Sequence, residues 1–210
     1  MVSDNRYKGT TTVGLVCGNG VVLASEKRAT MGTFIASRDA KKIYQVDDRI
    51  GMTTAGAVGD AQVLARIITI EAKLYKIRRG EPMAVGAVST LLSNILSTQR
   101  YFPYMTQLII GGVDTKGSRL FSLDPLGGQI EETKVVATGS GSPIAYGILE
   151  DRYKDDMSLD EGVNLAIRAL HAAIKRDAAS GDGIEVVTIT PDKYRVLGEE
   201  ELSKRASPLA

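Results

Sequence analysis

From Thr10 onward, short runs of β-branched residues between glycine turns give way to long runs of helical period, and the two kinds of run come in blocks. Residues 10–17 and 21–24 read as strands, with Gly18-Asn19-Gly20 between them. Asn-Gly in that setting predicts a tight hairpin whose turn residues take positive φ. A second strand pair is expected at 33–37 and 42–46, and a further strand at 50–55 ends in Ala55-Gly56. Asp60 then opens a helix with Leu64, Ile67, Ile68, Leu74 and Tyr75 on one face, stopped by Gly80 behind Arg78-Arg79. Pro82 stands where a first helical residue would. Behind it Val85, Val88, Leu92, Ile95 and Leu96 keep helical spacing up to Arg100.

Strands return at 107–113, 119–123 and, past the Pro125-Leu126-Gly127-Gly128 turn, 129–137. Ser142-Pro143 reads as cap and first residue of a helix through Leu149. Ser158-Leu159-Asp160-Glu161 is a capping-box pattern; it opens a helix with Val163, Ile167, Leu170 and Ile174 on one face. Strands at 184–190 and 194–197 follow, and the polar tail 203–210 is expected to fray. Strand block, helix pair, strand block, helix pair, strands: this order opposes alternating βαβ units. It predicts an α+β fold, a four-layer α-β-β-α sandwich of two antiparallel sheets. No internal repeat, low-complexity segment or linker interrupts it, so residues 10–210 are expected to form one domain.

Composition narrows the chemistry. The 210 residues carry 26 Lys+Arg against 25 Asp+Glu, a net charge of +1. That balance leaves no electrostatic footprint for nucleic acid or an anionic membrane. No stretch approaches ~18 consecutive apolar residues, and residues 1–9 lack the apolar core of a signal peptide. One cysteine, Cys17, excludes an intrachain disulfide and a Cys-rich zinc site. A reduced, cytoplasmic compartment is the expectation. One histidine, His171, excludes a His-pair metal site; no metal and no cofactor are expected. His171 lies at the edge of a helix's apolar face, where a satisfied, half-buried structural histidine is the ordinary reading. Gly139-Ser140-Gly141-Ser142 lacks the Walker pattern, but it runs into a helix N-terminus and could serve an anion.

The informative place is the start of the chain. A short charged leader ends in Gly9, and Thr10, Thr11 and Thr12 follow at once. Threonine suits a strand edge, and that is one reading. The other makes Gly9–Thr10 a processing site, with Thr10 as a new N-terminus. A hydroxyl is a poor nucleophile until a base takes its proton. A free α-amine has a pKa of about 7.7–8.0 and is substantially neutral near physiological pH. One residue then supplies nucleophile and base, and no histidine is needed. The γ-methyl restricts χ1 and helps to aim Oγ.

Gly9-Thr10-Thr11-Thr12-Val13-Gly14 resembles the maturation site of proteasome β subunits. So do Glu26-Lys27-Arg28-Ala29-Thr30-Met31-Gly32, Lys41-Lys42-Ile43, Thr54-Ala55-Gly56, Gly59-Asp60, Gly139-Ser140-Gly141-Ser142-Pro143, Tyr146-Gly147 and Arg176-Asp177-Ala178-Ala179-Ser180-Gly181. They run in family order over residues 9–198, and the pattern is most similar to archaeal members. The resemblance implies an N-terminal-nucleophile hydrolase of the four-layer sandwich fold, with residues 1–9 removed on maturation. It implies Thr10 as nucleophile, Lys42 as the active-site lysine, Glu26 as its acidic partner, and Ser140, Asp177 and Ser180 as the network around the threonine amine. Lys41 is then an ordinary solvated lysine. Gly56 matches the oxyanion donor and Thr30 a substrate-backbone contact. Ala29, Ala40, Tyr44, Thr54 and Val58 match the pocket for the residue before the scissile bond, and their character implies a neutral, apolar preference. Implied partners are other β subunits and α subunits in stacked seven-membered rings, an ATP-driven unfoldase beyond the α rings, and unfolded polypeptide substrates. Two alternatives stand beside this one: a non-catalytic ring subunit, and a related amidase or hexameric-ring protease of the same fold.

Overall fold

In the computed structural model, which describes residues 9–206, β2 (Gly20–Glu26) is buried along its whole length. Its pleat sends Val21 and Leu23 to one face and Val22 and Ala24 to the other, and each pair enters a different apolar layer. β2 lies at the centre of a five-stranded antiparallel sheet, in the order β10 (Val135–Thr138), β1 (Thr12–Cys17), β2, β11 (Ile184–Ile189), β12 (Tyr194–Val196). The second sheet runs β5 (Ile43–Asp47), β6 (Ile50–Gly56), β7 (Thr106–Asp114), β8 (Gly117–Leu123), β9 (Gln129–Glu131). Between the sheets Val21 and Leu23 meet Ile109, Leu120, Val136, Val187 and Ile189.

Helices cover both outer faces. α1 (Val58–Arg79) and α2 (Val85–Thr98) place Leu64, Ile68, Val88, Leu92 and Leu96 against Met52, Leu108 and Ile110 of the second sheet. α3 (Ser142–Arg152) and α4 (Leu159–Arg176) cover the first sheet, where Leu149, Val163, Ala166 and Leu170 meet Val13, Leu15, Val22 and Ala24. The result is the expected four-layer sandwich. At α4 the capping box closes: Ser158 Oγ accepts from Glu161 N at 3.3 Å, and Ser158 N donates to Glu161 Oε2 at 2.8 Å.

Several local expectations are overturned. The first hairpin turns at Gly18-Asn19, with Cys17 opposite Gly20, and none of residues 18–20 has positive φ. The strand at 33–37 does not pair with 42–46. β4 (Phe34–Ser37) pairs with β3 (Ala29–Met31) through a turn at Gly32, φ +61°, while β5 pairs with β6. Three residues are too few to read as a strand from pattern alone. The expected strand 129–137 is two strands in different sheets. Glu132 N still bonds Leu120 O of β8 at 2.9 Å, whereas Val16 N of β1 already bonds Lys134 O at 2.8 Å. The chain crosses between sheets in two residues.

Pro82 lies outside α2, whose first amide, Val85 N, bonds Asp114 Oδ2 at 2.9 Å. A carboxylate from another strand therefore sets that boundary. α1 starts at Val58, ahead of Asp60, and α3 is capped at Gly141, ahead of Ser142. Residues 203–206 do not fray but end α5 (Glu199–Ala206), pinned by Leu202 in the core and by Arg205 on Asp160 at 2.6 Å. Residues 207–210 lie outside the described part. His171 is half-buried on α4, but its Nε2 has no partner among the described residues, so it is not satisfied there.

Candidate active site

The register of β1 against β2 sets Thr12 opposite Ser25, so the chain ahead of β1 reaches Glu26 at the end of β2. Glu26 N bonds Thr11 O at 3.2 Å. Thr10 comes next and is buried, at 4% exposure. Side chains alternate here. Thr12 faces the second sheet: its hydroxyl meets that of Thr138 on the neighbouring β10 at 2.7 Å and that of Thr53 on β6 of the second sheet at 2.9 Å. Thr11 points to the other side.

Two polar clusters flank Thr10. In the first, the fully buried Glu26 carboxylate accepts from Thr11 N at 3.2 Å, Arg28 N at 2.7 Å and Gly181 N at 3.0 Å, and from Lys42 Nζ. Lys42 is itself buried and donates to Arg28 O at 2.6 Å. Its backbone is tied to β6 by Thr54 N on Lys42 O at 3.0 Å. Burial pulls the Lys42 ammonium below the ordinary lysine range, and Glu26, though it pulls the other way, does not restore it. An ammonium so placed gives up a proton more readily than a solvated one.

In the second cluster, Asp177 Oδ2 accepts from Ser140 Oγ and Ser180 Oγ, both at 2.6 Å. A hydroxyl has one proton and a carboxylate only accepts, so these two bonds fix the rest of the chain. Ser140 must accept from Thr10 N, 3.2 Å away, and Ser180 from the Thr11 hydroxyl, 2.7 Å away. Asp177 caps the C-terminus of α4, and Ser140 lies just ahead of α3, so the helix pair on the first sheet aims this cluster.

Thr10 Oγ1 donates to the Gly9 carbonyl oxygen at 2.7 Å. Thr10, Gly9, Lys42 and Gly56 line one pocket, together with Ala29, Ala40, Lys41, Tyr44, Thr54, Val58 and Ala61. The room left in it is about 20 Å³, enough for one water. Thr30 is buried on β3 and is not in this pocket; it lines the adjoining cleft with Ala29, Ala40 and Val58. Lys41 is exposed, its Nζ 5.5 Å from the centre of the Tyr44 ring. Gly56 closes β6 at φ +128°, and a Cβ there would stand 2.2 Å from Met105 O. Only glycine fits. Gly56→Ala must move this backbone. The expected result is a lower melting temperature, since strain of this kind costs about 1–3 kcal/mol; a melting curve checks it.

Three contributors were not singled out from the sequence: Thr11, Arg28 and Gly181. The threonine run gave a signal for Thr11, since alternation alone puts it opposite Thr10 and Thr12. Arg28 and Gly181 act through backbone atoms, which residue type does not advertise. Among the described residues no group of three or more His, Cys, Asp or Glu could hold a metal ion, and no helix is long and apolar enough to cross a membrane.

Known proteins resemble this chain over nearly its whole length. The family model described as "Proteasome subunit" matches residues 7–189. A protein named "Proteasome subunit beta" from Methanococcoides burtonii is 63% identical over 205 residues, 98% of each chain. One of the same name from Archaeoglobus profundus is 62% identical over 208 residues, 99% of this chain and 97% of the relative. Another, from Methanosarcina mazei, is 58% identical over 209 residues, 100% of each. The chain belongs to the proteasome subunit family, among its β subunits. It is a subunit of the proteolytic core particle and assembles with other proteasome subunits.

Proposed function

We propose that this chain is a threonine-type endopeptidase, with Thr10 as its nucleophile once the Gly9–Thr10 bond is cut. The observation that carries the reading is the place of the Thr10 hydroxyl: on the Gly9 carbonyl, in one pocket with Lys42 and Gly56. Freed of Gly9, the Thr10 amine keeps Ser140 and, through it, Asp177 as partners. As a neutral amine it takes the Oγ proton, and Oγ attacks the substrate carbonyl carbon. The Gly56 N–H receives the developing oxyanion. The C–N bond breaks, the leaving amine departs with the proton, and the acyl group stays as an ester on Oγ. Water then hydrolyses the ester and restores the hydroxyl. Lys42, held by Glu26 and Arg28 O, supplies positive charge that favours the alkoxide-like form of Oγ.

The walls made by Ala29, Ala40, Tyr44, Thr54 and Val58 are small or uncharged and suit a neutral, apolar side chain before the scissile bond. Thr30, on the short strand beside the pocket, supports an extended substrate added as a strand. Residues 10–210 act as one domain in this reading, and the leader through Gly9 is removed. The subunits form stacked seven-membered α and β rings in the cytoplasm, closed heterologous assemblies that keep the threonines from folded proteins. An ATP-driven unfoldase then supplies unfolded polypeptide. Co-expression with a proteasome α subunit tests this. The expected product is a four-ring particle that hydrolyses fluorogenic peptides with a neutral residue before the reporter. A small oligomer, or a fully assembled particle without peptidase activity, would sink it.

A further inference from the structure

The two polar clusters around Thr10 come from distant parts of the chain: Glu26 from the end of β2 and Lys42 from just ahead of β5, Asp177 and Ser180 from the turn after α4. Arg28 touches both. Its backbone N donates to Glu26 Oε2 at 2.7 Å, and its backbone O accepts from Lys42 Nζ at 2.6 Å. Its side chain reaches across. Nε donates to Asp182 Oδ2 at 2.6 Å, and Nη1 to Ala178 O at 2.9 Å. The guanidinium lies against Gly181, where a Cβ would stand 2.4 Å from it. Asp182 is held at φ +62°, unusual for a residue other than glycine. Its other carboxylate oxygen accepts from Arg38 Nη1 at 2.6 Å, on the chain just after β4. Backbone strain of this kind persists where surrounding contacts over-determine it.

We infer that Arg28 and Asp182 are positioning residues: their ion pair clamps the turn 177–183 onto the strand end 26–28, and so sets Lys42 and Glu26 against Asp177 and Ser180. Neither side chain lines the Thr10 pocket. Their effect passes through the Arg28 backbone, which is a direct ligand of both members of the buried pair. The inference rests on the reading of Thr10 and Lys42 given above. The charged groups acting on Lys42 are Glu26 from β2, Asp177 from the end of α4, and Arg28, whose charge disfavours the ammonium.

Three variants separate geometry from charge. Asp182→Asn keeps a residue that tolerates positive φ but removes the carboxylate. Arg28→Lys keeps the charge but loses the fork. Arg28→Gln loses both. In assembled, N-terminally mature particles, each is expected to lower kcat about 10- to 100-fold, the scale of a misplacement near 1 Å, with KM within about twofold. The alkaline limb of the pH–rate profile should move up in Arg28→Gln and stay put in Arg28→Lys. A merely structural role would reduce the amount of particle without that split. Crystal structures of the Arg28→Lys and Asp182→Asn particles should show Lys42 Nζ withdrawn from Arg28 O. If Lys42 keeps both Glu26 and Arg28 O in those structures, or kcat is unchanged in assembled particles, the inference is overturned. Should the unaltered particle prove inactive, or Thr10→Ala stay active, the nucleophile assignment fails instead, and the Lys42 position in the crystals still decides the clamp.

Discussion

Lys42→Ala lowers peptide hydrolysis to below about 1% of the unaltered rate while leaving the fold in place; this is the expected result. A fixed charge or donor placed where negative charge develops contributes about 10²–10³-fold, which sets the size of the loss. The survival of the fold follows from the bond inventory around Glu26. Without Lys42 the carboxylate still accepts from three backbone amides, Thr11 N, Arg28 N and Gly181 N. It is not left bare. The folded-state pKa of Lys42 lies below its ordinary value, so its burial costs stability at any pH below that folded pKa. The cost fades only as pH rises through the folded value toward the ordinary one, so removing the ammonium at neutral pH forfeits little. Glu26→Ala is the contrasting case. It strands three amides and leaves a buried ammonium unpaired, a change on the scale of about 3–5 kcal/mol. Its melting temperature should fall by about 10 °C or more, together with activity. Lys41→Ala, at an exposed side chain, should stay within about threefold of the unaltered rate, far less than the tenfold steps of a catalytic loss. Rates and melting curves for the three variants check the set. Equal losses from Lys41→Ala and Lys42→Ala would show that the wrong lysine has been chosen.

The layers of the fold were legible because each strand's alternation and each helix's apolar stripe answer to a different core. Val21, Val22, Leu23 and Ala24 state both faces of β2 in four residues. Boundaries were legible only where the deciding group is local. Ser158 and Glu161 sit three residues apart and cap α4 as read. The start of α2 is set by Asp114, 29 residues away, and no local pattern could reveal it. The handover at 132–134 escaped for a related reason: Glu132 N and Lys134 O bond strands of different sheets through backbone atoms, which residue type does not show. At the candidate site, Glu26, Lys42, Ser140, Asp177 and Ser180 were picked out by resemblance, and the structure brings them around Thr10. The backbone donors and acceptors of Arg28 and Gly181 could not be read. Their contribution depends on where the chain passes, and a side-chain alphabet does not encode that.

Maturation should depend on one oxygen atom. In Thr10→Ala the chain is expected to keep its leader through Gly9 and to hydrolyse no peptide, because the hydroxyl that would make both cuts is gone. In the unaltered chain Thr10 Oγ1 already contacts the Gly9 carbonyl oxygen at 2.7 Å, so a short swing brings it onto the carbonyl carbon. The Thr10 nitrogen is still an amide there and cannot act as base. The pocket has room for about one water, and that water takes the Oγ proton. Oγ bonds to the Gly9 carbonyl carbon, the Gly9–Thr10 C–N bond breaks, and the nitrogen leaves as an amine carrying the proton. A second water hydrolyses the ester, releasing the leader with a free Gly9 carboxylate. Position 9 tolerates nothing larger than glycine, since a Cβ would stand 1.7 Å from the Ala179 Cβ. Gly9→Val should therefore slow maturation sharply, though the nucleophile is intact. Thr10→Ser keeps the hydroxyl and loses only the methyl that restricts χ1; it should mature and retain part of the activity. Intact-mass measurement of assembled particles reads all four chains at once. The unaltered and Thr10→Ser chains should begin at residue 10, Thr10→Ala should keep its leader, and Gly9→Val should keep it in large part. A particle that cleaves peptides while its β chain still carries residue 9 would refute the N-terminal-threonine mechanism outright.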